Sequence, residues 1–522
     1  MSNPDSYDRV PYVSRSVPQM HPDHLATSAL LRGLRPKDLA HSRVLELGCA
    51  DGAHLIPLAA NFPDSHFVGV DASAVQVQSG QELIAALGLR NIELHAADFL
   101  QFPDPSHPAP PPFDYILSHG VYSWVPPPVQ ARVLQICQQH LSENGLAYFS
   151  YNIYPGFYRR QHIMEMMRYH TAALKDPVEI VRQARALLKF LIDSAPDPDS
   201  TGVRLLREEA QRIGPLPDSY VFHEHYEADN RPCYFHEFMR EAGVHGLQYV
   251  GDAIVTLGLS GLSPATQQVF AQLGDDIVRQ EQYLDFLRST SLRSSILCRQ
   301  SVALRPEPIE SDLRGLYVLS MAIPDSLEPL TGDKLRQPIP VKFRARLGEG
   351  QIDNPLFKTL VLALFRSRPS ALSMPELATS MSALFGENVS EEMALRLAIY
   401  GHRTGICMLR SHHPPMTKQI SERPAVSALA RAQAQRAGWT TGPWHDPIAL
   451  DPLQRTLLTQ LDGSRDLDGI TEGVMGAVRS GFLTIRGPQD EPVPEAEMQK
   501  NLRQQFIPRA LRSLAELGLL VS

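Results

Sequence analysis

The sequence predicts an α/β fold: a mostly parallel sheet with helices on both faces, extended by further helical units. Three observations carry that prediction. Through residues 1–155, short apolar runs suited to buried strands alternate with runs whose apolar residues recur at helical spacing. A glycine turn, Gly48-Cys49-Ala50-Asp51-Gly52, joins the first strand to the first helix. Carboxylates close three successive strands as Glu46, Asp71 and Asp98, and the carboxyl edge is where open α/β sheets bind ligands.

The elements follow in order. Residues 44–47 (VLEL) read as a buried strand and 53–61 as a helix. Residues 66–71 (HFVGVD) and 91–98 (NIELHAAD) are the second and third strands, with a helix over 74–87 between them. Residues 113–119 (FDYILSH) and 146–152 (LAYFSYN) are the fourth and fifth. Between these two, Val129, Val133, Ile136, Cys137 and Leu141 recur at helical spacing, and Gly145 supplies the stop. Residues 231–253 read as helix, glycine and a sixth strand returning to the sheet, and 281–298 as one amphipathic helix. Residues 354–386 and 451–485 each read as helix, turn, helix, and the chain closes on a helix feeding a short strand. The resulting plan is a core at 1–155, a helical insertion at 156–230, a region completing the core at 231–300, and winged-helix-like regions at 301–440 and 441–522.

Composition narrows the functional classes. A chain of 522 residues needs more than one core. The net charge of -8 argues against generic nucleic-acid binding, which uses a basic surface. No run approaches the roughly 18 apolar residues of a membrane span, and the opening MSNPDSYDRVPY has no apolar core of a secretory leader. Five scattered cysteines without a CxxC pair suggest neither a zinc site nor a disulfide framework, so a reducing cytoplasm is expected.

The turn selects the ligand. A dinucleotide site wants G-x-G-x-x-G and a P-loop wants GK[ST]; neither is present after Gly48. S-adenosylmethionine (SAM) is a nucleoside carrying an amino acid and a sulfonium without phosphate. Small residues, Gly48, Cys49, Ala50 and Gly52, let the backbone approach its methionine part. Glu46 suits the cationic amine, Asp71 the ribose hydroxyls and Asp98 the adenine amino group, with Ala72 and Phe99 beside them. His119, at the end of the fourth strand, is placed to hydrogen-bond the cofactor or move a proton. His223, His225 and His236 cluster in sequence, but methyl transfer needs no metal and no HExxH pair is present, so no metal is expected.

Glu46 through Gly52 resembles the E-x-G-x-G-x-G motif of class I methyltransferases, with Ala50 in place of the middle glycine. SYDRVPYVSRSVPQMHPDHLAT, LELGCADGAHLIPLA, SHGVYSWVP, SYNIYPGF and HEHYEADNRPCYFHEFMREAGVHGLQYVGDA together resemble bacterial methyltransferases with a methyltransferase regulatory domain. That family includes lysine methyltransferases of outer-membrane proteins. Phe157 stands where its members commonly have tryptophan. The resemblance implies a Rossmann-like class I methyltransferase core, SAM as cofactor, a protein lysine as acceptor and a homodimer joined through the helical insertion.

A lysine acceptor must be neutral to attack, and with a pKa near 10.4 only about one amine in a few thousand is neutral at pH 7. Aromatic walls help by excluding water and by cation–π contact with the methylated product. Tyr122 and Trp124 after the fourth strand, Asn152 and Tyr154 after the fifth, and Tyr12 as an N-terminal lid are the expected acceptor-side residues, with Tyr122 foremost and His119 beside them. The helix within 451–485 opens on acids where a DNA reader wants arginine or lysine, so the terminal modules are expected to contact protein. A small-molecule methyltransferase and a non-catalytic SAM-sensing or DNA-binding regulator are the alternatives.

Overall fold

The computed structural model describes residues 10, 12–103, 110–254, 261–330, 332–345, 348–486 and 491–521. Its centre is a seven-stranded sheet in the order β3-β2-β1-β4-β5-β7-β6. β1 (Arg43–Leu47), β2 (His66–Asp71), β3 (Ile92–Ala96), β4 (Phe113–Ser118) and β5 (Leu141–Asn152) are all parallel. Their burial on both faces explains the near-continuous apolar runs. β7 (Leu292–Arg299) lies antiparallel between β5 and β6 (Leu247–Asp252).

That seventh strand corrects the sequence reading. The helix expected over 281–298 ends at Arg288, where Ser289 turns left-handed at φ 51, and the chain continues as β7. β6 does return to the sheet, but as its outer strand. Helical spacing fails here because β7 is buried along most of its length, which removes the alternation that marks a strand. Arg293 then fastens the region to the sheet. It pairs with Asp285 at 2.9 Å and Glu281 at 2.8 Å, donates to the Tyr249 hydroxyl at 3.1 Å and lies 4.1 Å over the Phe235 ring.

The insertion is four helices, Phe157–Thr171, Pro177–Asp193, Thr201–Ile213 and Asp218–Tyr226, around their own small core of Ile163, Met167, Val181, Leu188, Leu206 and Val221. Beyond residue 301, β8 (Tyr317–Ser320), β12 (Leu372–Ser373) and β13 (Cys407–Arg410) form a sheet in the order β12-β8-β13 on which three helices (Pro355–Ser367, Met374–Phe385, Glu391–Arg403) pack, and β9 (Ile323–Pro324), β10 (Val341–Ala345) and β11 (Gly348–Ile352) form a second small sheet. A last unit packs helices around Leu457, Ile470, Val474 and Leu514. It draws in β14 (Ala425–Val426), which pairs with β17 (Leu520–Val521). Among the described residues no helix is long and apolar enough to cross a membrane.

The units meet beneath the sheet's carboxyl edge. Asp23, on the helix Pro22–Leu30, is fully buried and pairs with buried Arg410 at 2.7 Å, and its other oxygen accepts from the Ser411 hydroxyl at 2.6 Å. Arg410 also lies 5.5 Å over the Trp444 ring. Removing one member of a buried pair strands the other charge, at a cost of about 3–5 kcal/mol. Asp23→Ala is therefore expected to lower the unfolding free energy of the full chain's first denaturant transition by about that amount; an unchanged free energy would show that the units are not joined there.

Candidate active site

β1 and β2 run in parallel register, with Leu47 opposite Val70. The chain leaving β1 must then turn sharply, and the Gly48 and Cys49 amides both donate to the Val70 carbonyl, at 2.8 and 3.2 Å. Gly48 sits at φ 84, and a Cβ there would overlap Val121, so only glycine fits. Ala50 is left-handed at φ 50, which explains why glycine is the ordinary occupant of this position and costs alanine roughly 1–2 kcal/mol. Asp71 fixes the turn: one carboxylate oxygen accepts from the Ala50 amide at 2.8 Å and the other from Ser73 at 2.9 Å.

Over this turn lies a cavity of about 540 Å³. Its inner wall includes Glu46, Gly48, Cys49, Ala50, His54, Asp71, Ala72, Ser73 and Phe99. Glu46 is 4% exposed, and its Oε2 has no hydrogen-bond partner among the described residues. Burial, then the charges of Asp71 and Asp51, hold its carboxyl well above the usual range. A buried acceptor without a partner beside a cavity fits a cationic ligand group, and the cofactor's ammonium is such a group.

Most of the expected residues meet here, and four do not. Tyr12, His119, Trp124 and Asn152 line the cavity. Tyr122 does not. It is 5% exposed in the core, with its ring 5.0 Å from Phe238 and 6.0 Å from Tyr151. Tyr154 stacks on Tyr158 at 4.0 Å, away from the cavity lining. Asp98 is exposed and caps a short 3-10 turn by accepting from Leu100, so Phe99 is the residue of that strand end facing the cavity. Gly52 is a packing position, where a Cβ would meet Leu94 at 3.0 Å and Ile56 at 3.2 Å.

The outer wall comes from segments the strand pattern did not reveal. Arg160, Pro215, Tyr220, His223 and Glu224 belong to the insertion, and Ser14, Arg15 and Val17 to an N-terminal strap. The strap is fastened along its length. His223 Nε2 meets the Val10 carbonyl at 2.6 Å, the Tyr12 ring lies 5.8 Å from that of Tyr220, Ser14 donates to Asp51, and the Val17 amide donates to His54 Nδ1 at 3.4 Å. His223 and His225 are otherwise engaged by Glu227 and Glu209. Arg160 pairs with Glu224.

His119 has a defined tautomer. The Tyr148 hydroxyl donates to Ser294 at 3.2 Å, so it accepts from His119 Nδ1–H at 3.0 Å and leaves the His119 Nε2 lone pair free of that bond. Burial lowers the His119 pKa to about 4, which keeps the ring neutral.

The raised Glu46 pKa gives a pH signature. A ligand ammonium favours the ionised carboxylate, so binding S-adenosylhomocysteine (AdoHcy) is expected to release a proton at pH values around the raised pKa, and affinity to fall as pH drops below it. Calorimetry over a pH series from 5 to 8, in buffers of different ionisation heat, measures that release. Glu46→Gln should abolish it, and a buffer-independent heat for the unsubstituted protein would contradict the assignment.

Comparisons with known proteins agree with this geometry. Residues 44–145 match the pattern of a "Methyltransferase domain", 217–299 that of a "Predicted methyltransferase regulatory domain", and 422–519 that of a "PKMT, C-terminal winged helix domain". Uncharacterized protein RP789 of Rickettsia prowazekii is 31% identical over 517 residues, covering 96% of this chain and 91% of that one. The structure of PKMT2 from Rickettsia typhi in complex with AdoHcy superposes with a TM-score of 0.85 at 28% identity, covering 98% of this chain and all of the other. The chain belongs to the class I SAM-dependent methyltransferases that carry a methyltransferase regulatory domain and a PKMT winged helix.

Proposed function

We propose that this SAM-dependent methyltransferase methylates the side-chain amine of lysine in a polypeptide, as in an unfolded bacterial surface or outer-membrane protein. The observation that carries the reading is the outer wall of the cavity, where the strap's Tyr12 faces Tyr220 of the insertion beside Glu224. Aromatic faces and a carboxylate suit a long cationic side chain entering from outside. The likeness to PKMT2 supports a protein acceptor.

Bound SAM supplies an electrophilic methyl group on sulfur. Glu46 would hold its ammonium and Asp71 its ribose hydroxyls, and Phe99 would pack beside the base. The chain's own work is to align the amine and keep it neutral. His119 does not take the amine proton. A ring protonating near 4 is far too weak a base for a lysine ammonium of pKa about 10.4. The amine therefore sheds its proton to water before the aromatic walls close, and His119 serves as a neutral acceptor inside the cavity. The insertion also exposes the apolar side chains of Tyr169, Val178 and Phe190, which suits contact with a second copy of the chain. The five thiols are free, which suits a reducing cytoplasm.

Deuterated-methyl SAM, a panel of unfolded surface polypeptides and peptide mass spectrometry test the acceptor. Label on lysine supports the reading, whereas label confined to a small metabolite overturns it. Tyr220→Ala should lower kcat/KM for a protein acceptor roughly tenfold or more while changing AdoHcy affinity less than about threefold, with Tyr220→Phe between. Because the amine loses its proton to water rather than to His119, kcat/KM for a lysine acceptor is expected to rise about tenfold per pH unit from pH 6 to 8. A flat profile would place a proton acceptor in the site.

A further inference from the structure

His54 lines the same cavity as Glu46 and is 4% exposed. Two neighbours converge on its Nδ1. The Val17 amide approaches at 3.4 Å, and His445 Nε2 at 2.8 Å. A backbone amide only donates, so Nδ1 carries the lone pair. His445 Nε2 must then carry its own hydrogen, and the remaining proton of His54 sits on Nε2. That Nε2 is buried and has no partner among the described residues. Burial lowers the pKa of both rings, that of His445 to about 3, so both stay neutral near pH 7 and the tautomer is single.

The wall of one cavity thus contributes two unsatisfied buried groups: Glu46 Oε2, an acceptor once the carboxyl is ionised, and His54 Nε2–H, a donor. Native structures rarely leave such groups unpaired. A donor and an acceptor on the wall of one cavity are complementary to a ligand carrying both an ammonium and a carboxylate, which is the amino-acid end of SAM.

His445 comes from the far end of the chain. It lies in the loop between β15 (Trp439–Thr441) and β16 (Pro447–Ala449), left-handed at φ 69, a conformation that a non-glycine residue adopts only when its surroundings hold it there. They do. The Gly442 amide donates to the Asp446 carbonyl at 2.7 Å, and the Trp444 indole to the Pro369 carbonyl at 2.8 Å.

We propose that His54 binds the carboxylate of the cofactor's methionine end through Nε2–H, and that His445, carried by the C-terminal unit, is a positioning residue that sets the required tautomer. The winged-helix unit is thereby part of the cofactor site. The inference rests on the assignment of the cavity to SAM.

Calorimetry on the full chain tests it with two probes: AdoHcy, and 5′-methylthioadenosine, which keeps the nucleoside and lacks the amino acid. His54→Ala is expected to weaken AdoHcy roughly tenfold or more and methylthioadenosine less than about twofold. Equal losses, or no loss for AdoHcy, overturn the proposal. Methylthioadenosine binding also reports that the variant is folded; should His54→Ala fail to fold, His54→Phe, which keeps a ring and has no donor, is read by the same AdoHcy-to-methylthioadenosine ratio. His445→Ala should weaken AdoHcy about fivefold or more, and His445→Gln, whose side-chain amide still donates, should restore most of it. A glutamine variant no better than alanine removes His445 from the account. Long-range nitrogen–proton NMR spectra of the unsubstituted protein should show His54 protonated on Nε2; protonation on Nδ1 contradicts the relay. An unsubstituted protein that binds neither probe fails the cofactor assignment instead.

Discussion

The site hangs on the clasp between Asp71 and the Ala50 amide. Parallel pairing of β1 and β2 brings the two strand ends together, and the clasp holds the connecting turn in a left-handed shape that alanine alone disfavours. Because both Asp71 oxygens also satisfy backbone donors, one carboxylate shapes the turn and faces the cavity. The position of Glu46 and the close approach at Gly48 follow from that geometry.

Around this rigid floor the cavity is completed by segments distant in sequence. The N-terminal strap crosses it, fastened by the insertion at His223 and Tyr220 and by the core at Asp51 and His54. The C-terminal unit reaches the same wall through His445. The buried Asp23–Arg410 pair sits under the strap's continuation into the helix Pro22–Leu30. Insertion and core thus wall one cavity, and the terminal unit touches that wall at His54.

What the sequence makes legible is what local rules govern. β1 to β5 are recovered because buried parallel strands and amphipathic helices leave distinct periods. Glu46 and Asp71 line the cavity because the end of a strand beside a glycine turn faces the ligand edge. Expected residues lie outside the cavity lining where side-chain direction depends on packing. Tyr122 follows β4 as expected, yet its ring turns inward against Phe238, on a helix that periodicity cannot place relative to it. Asp98 is likewise in position, but its side chain caps its own turn. The His54–His445 contact spans 391 residues and leaves no local trace in either segment.

Hydrogen–deuterium exchange of the full chain with and without AdoHcy tests most directly whether one cavity is built by all these segments. Shared construction predicts slowed exchange on binding in four places: the turn at residues 46–54, the strap at 12–17, the insertion at 215–224 and the C-terminal loop at 442–446. Protection confined to residues 46–76, with the other three segments unchanged, would show that the core alone forms the site.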